Sequence, residues 1–166
     1  MKMHPLEPAG EDLLRRAQAH SVAEREIPVP AERLFELLEE GPTWSEFFPV
    51  IRKVEQTSPR PFGEGTTRTV TVLGGIRLDE VFWTWKPGSR MGFAVSAVSL
   101  PGLAGLVEVY DVFPAGEQRC SLRWEMGIEF SGGMRSAERS MPPFLHRTQT
   151  WCLGRLERLA RRRSPG

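Results

Sequence analysis

Six apolar residues, Cys120, Leu122, Trp124, Met126, Ile128 and Phe130, alternate with Ser121, Arg123, Glu125, Gly127 and Glu129. Successive side chains of a strand point to opposite faces, so this alternation predicts one buried face and one solvated face. Such a strand belongs to an antiparallel sheet. Upstream, Val50–Thr57, Thr66–Leu73, Ile76–Trp85, Arg90–Val98 and Leu106–Phe113 read as further strands, separated by Pro/Gly punctuation. Gly74-Gly75 suits a two-residue hairpin turn, and Pro87-Gly88 stands in the order of a type II turn. Ser21–Ile27 reads as a strand ahead of these.

Helical spacing appears at both ends of that run. Leu34, Phe35, Leu37 and Leu38 form an apolar face over Ala31–Glu40, which Gly41-Pro42 ends. Thr43 is placed to cap a second short helix carrying Trp44, Phe47 and Phe48. After Ser131-Gly132-Gly133 the chain is helical to about Arg163, with Pro142-Pro143 at the start of the main helix and Ser140 as its expected cap. Its apolar stripe is Leu145, Cys152, Leu156 and Leu159, flanked by Phe144, Thr148 and Trp151. The order is strand, two short helices, six-strand meander, long helix. This predicts an α+β helix-grip fold: a curved seven-stranded antiparallel sheet around a long C-terminal helix. Residues 1–19 read as an N-terminal extension and 20–163 as the domain. Within the extension Leu13, Leu14 and Ala17 could share one side of a short helix, but an untethered terminus is slightly favoured.

Composition narrows the function classes. The 166 residues suit one domain, and the net charge of +1 argues against a dedicated nucleic-acid binder. Cys120 and Cys152 sit within apolar patterns and do not form a disulfide framework. The first twenty residues lack the apolar core of a signal peptide, and the uncharged stretch Met91–Val107 is short and broken by Pro101-Gly102. These features predict a cytoplasmic protein without stable membrane insertion. His4, His20 and His146 have no metal-ligand spacing, and neither a nucleophile elbow nor a phosphate loop is present, so no metal and no cofactor are expected.

Ile27 to Leu38, the segment Trp44-Ser45-Glu46-Phe47-Phe48-Pro49, Val54-Glu55, Gly63-Glu64-Gly65-Thr66, Trp85-Lys86-Pro87 and the terminal helix with Leu153, Leu156 and Leu159 carry a resemblance. Over roughly residues 20–162 the chain resembles the polyketide cyclase/dehydrase and lipid-transport family of the START-like, or SRPBCC, superfamily. The resemblance implies the helix-grip fold and a cavity for a hydrophobic ligand. Members include lipid, sterol and hormone binders and aromatase/cyclases, so carrier and enzyme both stay open.

A sheet curled around one helix leaves space that side chains need not fill. Phe93, Val95, Tyr110, Leu122, Trp124 and Met126 from the strands, with Phe144, Thr148, Trp151 and Cys152 from the helix, are the candidate ligand-binding residues. Glu80, Tyr110 and His146 are the candidate acid/base groups, and which face of Leu106–Phe113 is buried stays undecided, because Val107, Val109 and Phe113 oppose Glu108, Tyr110 and Val112. The apolar segment 99–106 reads as a loop that gates the cavity, touches a membrane, packs in a dimer or folds over the core. Apolar wall residues outnumber polar candidates. Binding or transport of a small hydrophobic, lipid or aromatic/polyketide-like molecule is therefore favoured. A cyclase/dehydratase-type enzyme is the alternative, and a protein-interaction module with a vestigial cavity the second.

Overall fold

The computed structural model describes residues 1–164. Its elements run β1 (His4–Pro5), α1 (Glu11–Arg16), β2 (Ala19–Ile27), α2 (Ala31–Glu39), α3 (Gly41–Phe47), β3 (Ile51–Gln56), β4 (Thr67–Val72), β5 (Arg77–Lys86), β6 (Arg90–Val98), β7 (Leu103–Gly116), β8 (Arg119–Phe130) and α4 (Pro142–Arg163). Seven strands form one curled antiparallel sheet in the order β2-β8-β7-β6-β5-β4-β3, and the short β1 adds to β6. The helix-grip architecture expected from the alternation is the one observed. β2 closes onto β8 from Ala19 opposite Ile128 to Ile27 opposite Cys120.

The turns form where glycine permits them. Gly74 and Gly75 take φ of 82° and 77°, conformations that other residues adopt rarely. They sit in a one-turn 3-10 segment, Leu73–Gly75, closed by the Val72 N–H donating to the Ile76 carbonyl at 2.8 Å. Pro42 lies in the first turn of α3, so the proline that ends α2 also starts its successor. Neither expected cap is used: the N-cap of α3 is Glu40 and that of α4 is Met141, each without a side-chain cap bond. Thr43 is instead buried, and its hydroxyl accepts from Arg163 at 3.2 Å.

α4 lies in the concave face. Leu145, Cys152, Leu153, Leu156 and Leu159 are buried there with Leu122, Trp124, Tyr110, Phe93 and the α2 leucines. At about 25 cal/mol per Å² of apolar area removed from water, this layer supplies the main stabilising term of the fold.

The N-terminal segment is not an untethered terminus. Leu13 and Leu14 of α1 are buried on the convex face against Ala94, Val107 and Val109. Gly105 and Gly127 form their seat: a Cβ at Gly105 would come within 3.1 Å of Leu13, and one at Gly127 within 3.3 Å of Ala17. The segment 99–106 is also not simply a loop, since Leu103 and Gly105 already pair with Phe130 and Glu129 on β8.

Candidate functional site

The concave face and α4 do not fill the space between them. A cavity of about 320 Å³ remains, walled by Trp44, Phe48, Phe93, Trp124 and aliphatic side chains from β3 to β8. α4 contributes Phe144, Leu145, Thr148 and Gln149. Three ionisable side chains reach this mostly apolar wall: Arg68, Glu80 and Glu108.

The pleat puts them there. On β4, Arg68 shares parity with Val70 and Val72, which also line the cavity. On β5, Glu80 lies between Leu78 and Phe82 of the same face, and on β7, Glu108 lies between Leu106 and Tyr110. β7 resolves its ambiguity by burying both faces. Glu108, Tyr110 and Val112 look to the cavity side, and Val107 and Val109 pack under α1.

Arg68 is only 2% exposed. Its guanidinium lies 4.3 Å from the Trp44 ring and 4.4 Å from the Phe93 ring, so both aromatic faces stabilise the charge. Its Nε donates to Glu80 Oε2 at 2.6 Å. Burial pushes the Glu80 carboxyl up, against the pull of that guanidinium. Glu108 Oε2 accepts from the Tyr110 hydroxyl and from Trp124 Nε1, each at 2.9 Å. Burial, and secondarily the nearby Glu80 charge, push Glu108 up to about 7, while the two donors and Arg68 pull the other way. A carboxyl in that range can give or take a proton near neutral pH. Burial and the neighbouring Glu108 push the Tyr110 hydroxyl well above its ordinary value, so it serves as a neutral donor. Gln149 Nε2 donates to the Trp124 carbonyl at 3.2 Å.

The expected site residues separate into groups. Phe93, Trp124, Met126, Phe144 and Thr148 line the cavity, and so does Glu80. Tyr110 stands behind Glu108 and stacks on Trp124 at 5.2 Å between ring centroids. Leu122 and Cys152 are buried in the core beneath the wall. Val95 is buried opposite Glu80 but does not line the cavity. Trp151 is 54% exposed on the outer side of α4, with the Arg155 guanidinium 5.1 Å from its ring. His146 is exposed, and its Nδ1 lies 2.8 Å from the Val22 carbonyl, away from the cavity. Burial pushes the thiols of Cys120 and Cys152 up to about 11 and about 12, so neither is a thiolate near neutral pH.

Sequence reasoning missed Arg68, Trp44, Phe48 and Gln149, and it left the face of Glu108 undecided. Parity along β4 was the available signal for Arg68, since it falls in the Val70–Val72 set. Among the described residues no three His, Cys, Asp or Glu side chains are placed to hold a metal ion, and no helix is long and apolar enough to cross a membrane.

Comparison with known proteins gives a consistent picture. The family model described as polyketide cyclase/dehydrase and lipid transport matches residues 18–161. An uncharacterized protein of Mycobacterium tuberculosis is 36% identical over 146 residues, covering 87% of this chain and 86% of its own. The ZhuI aromatase/cyclase of Streptomyces sp. R1128 superposes with a TM-score of 0.69 at 15% identity, over 87% of this chain and 94% of that one. A START superfamily protein of Mycobacterium smegmatis gives 0.66 at 11% identity, over 84% and 98%.

Proposed function

Because the chain belongs to the polyketide cyclase/dehydrase and lipid transport family, we propose that its cavity binds a small, mostly apolar molecule. One observation carries this reading: a space of about 320 Å³ whose wall is apolar and aromatic except at Arg68, Glu80, Glu108, Thr148 and Gln149. Apolar walls supply affinity through area removed from water, and a few convergent polar groups orient what enters. The half-exposed Val50 and the 67% exposed Phe144 border the space and mark where it opens.

The experiment is native mass spectrometry of freshly purified protein against its denatured mass. A discrete excess mass, lost on denaturation and extractable, is the expected result. A single bare mass together with no uptake of any apolar probe would remove the reading.

A second reading, a cyclase/dehydratase-type enzyme, is favoured by one specific observation. Glu108 combines a value near neutrality with a place in the cavity wall, and Arg68 stands within the same buried cluster. A proton held there could pass to a substrate carbonyl oxygen as an enol carbon of the same substrate attacks that carbonyl carbon: the new C–C bond replaces the C=O π bond, and the enol's O–H proton returns to the Glu108 carboxylate. If this is the role, Glu108→Gln abolishes turnover of a poly-β-ketone analogue while leaving its binding within a few-fold; unchanged turnover would remove the enzyme reading.

A further inference from the structure

Charge is unevenly divided along the chain. From Gly132 to Gly166 the sequence holds eight arginines and two acids, Glu138 and Glu157, whereas nineteen acids stand against fourteen bases before it. The net charge of +1 therefore conceals a strongly basic C-terminal part. Within α4, Phe144, Arg147, Trp151, Arg155, Arg158 and Arg162 recur at intervals of three and four residues, so they fall on one line along the helix, roughly 27 Å long. Phe144 and Trp151 are both more than half exposed, the Arg155 guanidinium lies against the Trp151 ring, and Arg147, Arg158 and Arg162 are exposed beside them. No acid interrupts the line. The attraction of a helix C-terminus for cations fades beyond the last turn, which holds Arg161, Arg162 and Arg163, so it does not account for Arg147, Arg155 and Arg158. Internal pairing does not account for the line either. Arg161 pairs with Glu157, and Arg163 with Glu40 and Glu46, but among the described residues no carboxylate forms an ion pair with Arg147, Arg155, Arg158 or Arg162.

We propose that this outward line of α4, from Phe144 to Arg162, docks on an acidic lipid surface. Its arginines meet the headgroup charge, and the Phe144 and Trp151 rings enter the layer between headgroups and acyl chains, where aromatic side chains are favoured. The position on the fold agrees. Phe144 also lines the cavity, as does the half-exposed Val50. Leu73, 55% exposed, adjoins Val50, donating its N–H to the Val50 carbonyl at 2.8 Å. The cavity mouth thus has an apolar rim at the phenylalanine end of the line. A nucleic acid would answer the arginines and leave that rim in water, whereas a bilayer answers both. The docking is peripheral, since no helix among the described residues is long and apolar enough to cross a membrane. It goes beyond the reading of the cavity as a small-molecule site and does not depend on what the cavity holds.

Co-sedimentation of the full chain with phosphatidylcholine vesicles, with and without one-third phosphatidylglycerol, tests the proposal. The protein pellets with the acidic vesicles, stays in solution with pure phosphatidylcholine, and is released as salt is raised. Arg158→Gln combined with Arg162→Gln weakens the partition about 25-fold, at about fivefold for each arginine close to the surface. Trp151→Ser weakens it several-fold with the arginines intact. All three side chains are exposed, so both variants keep the wild-type unfolding midpoint, which circular dichroism on the same samples reports. Pelleting with neither vesicle, equal pelleting with both, or an unchanged partition of the double arginine variant overturns the proposal, and the first of these would assign the line to a soluble acidic partner. An empty cavity in native mass spectrometry would remove the small-molecule reading and leave vesicle binding as it is.

Discussion

At the scale of single residues, the buried cluster dominates what can be measured. The raised Glu108 carboxyl has a definite consequence for stability. Its folded value of about 7 lies above its ordinary 4.5, so the folded state holds the proton more tightly than the unfolded state. Its contribution is fully present below about 4.5 and is lost as pH rises through about 7. Relative to Glu108→Gln, the wild type should lose roughly 2–3 kcal/mol between pH 5 and 8, read from urea denaturation at each pH. A parallel pair of curves would refute it. Arg68 is tested differently. Arg68→Met leaves Glu80 buried without its cation, and the expected cost is roughly 3–5 kcal/mol near neutrality. Adding Glu80→Leu should recover much of that loss, because an apolar pair of similar volume has no desolvated charge. A double variant no better than the single one would show that the aromatic stacking, and not the ion pair, sets the cost.

At the scale of elements, α1 is the informative piece. It is only 6 residues long, too short to be stable alone, so its order comes from packing Leu13 and Leu14 on the sheet. Leu13 is fully buried, and Leu13→Ala should destabilise the protein by about 3 kcal/mol in thermal or chemical unfolding. A change under about 0.5 kcal/mol would mean that the segment is docked only loosely. The same element explains why β7 was ambiguous in sequence. A strand covered on both faces loses the polar alternation that marks its buried side, and the cover comes from residues some ninety positions away in the chain.

At the scale of the molecule, binding and stability are linked. A ligand held only by the folded state stabilises it by about 2.7 kcal/mol at a hundred times its dissociation constant. With an apolar probe such as naphthalene at that excess, the midpoint of thermal unfolding should rise by roughly 5–10 °C in scanning calorimetry. No rise with that probe, while native mass spectrometry shows its uptake, would place the uptake outside the folded cavity. The sequence by itself determined the meander, the long closing helix and so the helix-grip fold, because alternation and helical spacing are local records of which side meets water. It also placed Phe93, Trp124, Met126, Phe144 and Thr148 at the cavity, since strand parity and helix stripe suffice for that. Only the tertiary structure decided that Arg68, Glu80 and Glu108 share one cavity wall, and that Trp151 and His146 turn away from it. These facts depend on how far the sheet curls and how α4 is rotated about its axis. Both are set by the summed packing of distant side chains, and no local pattern records them.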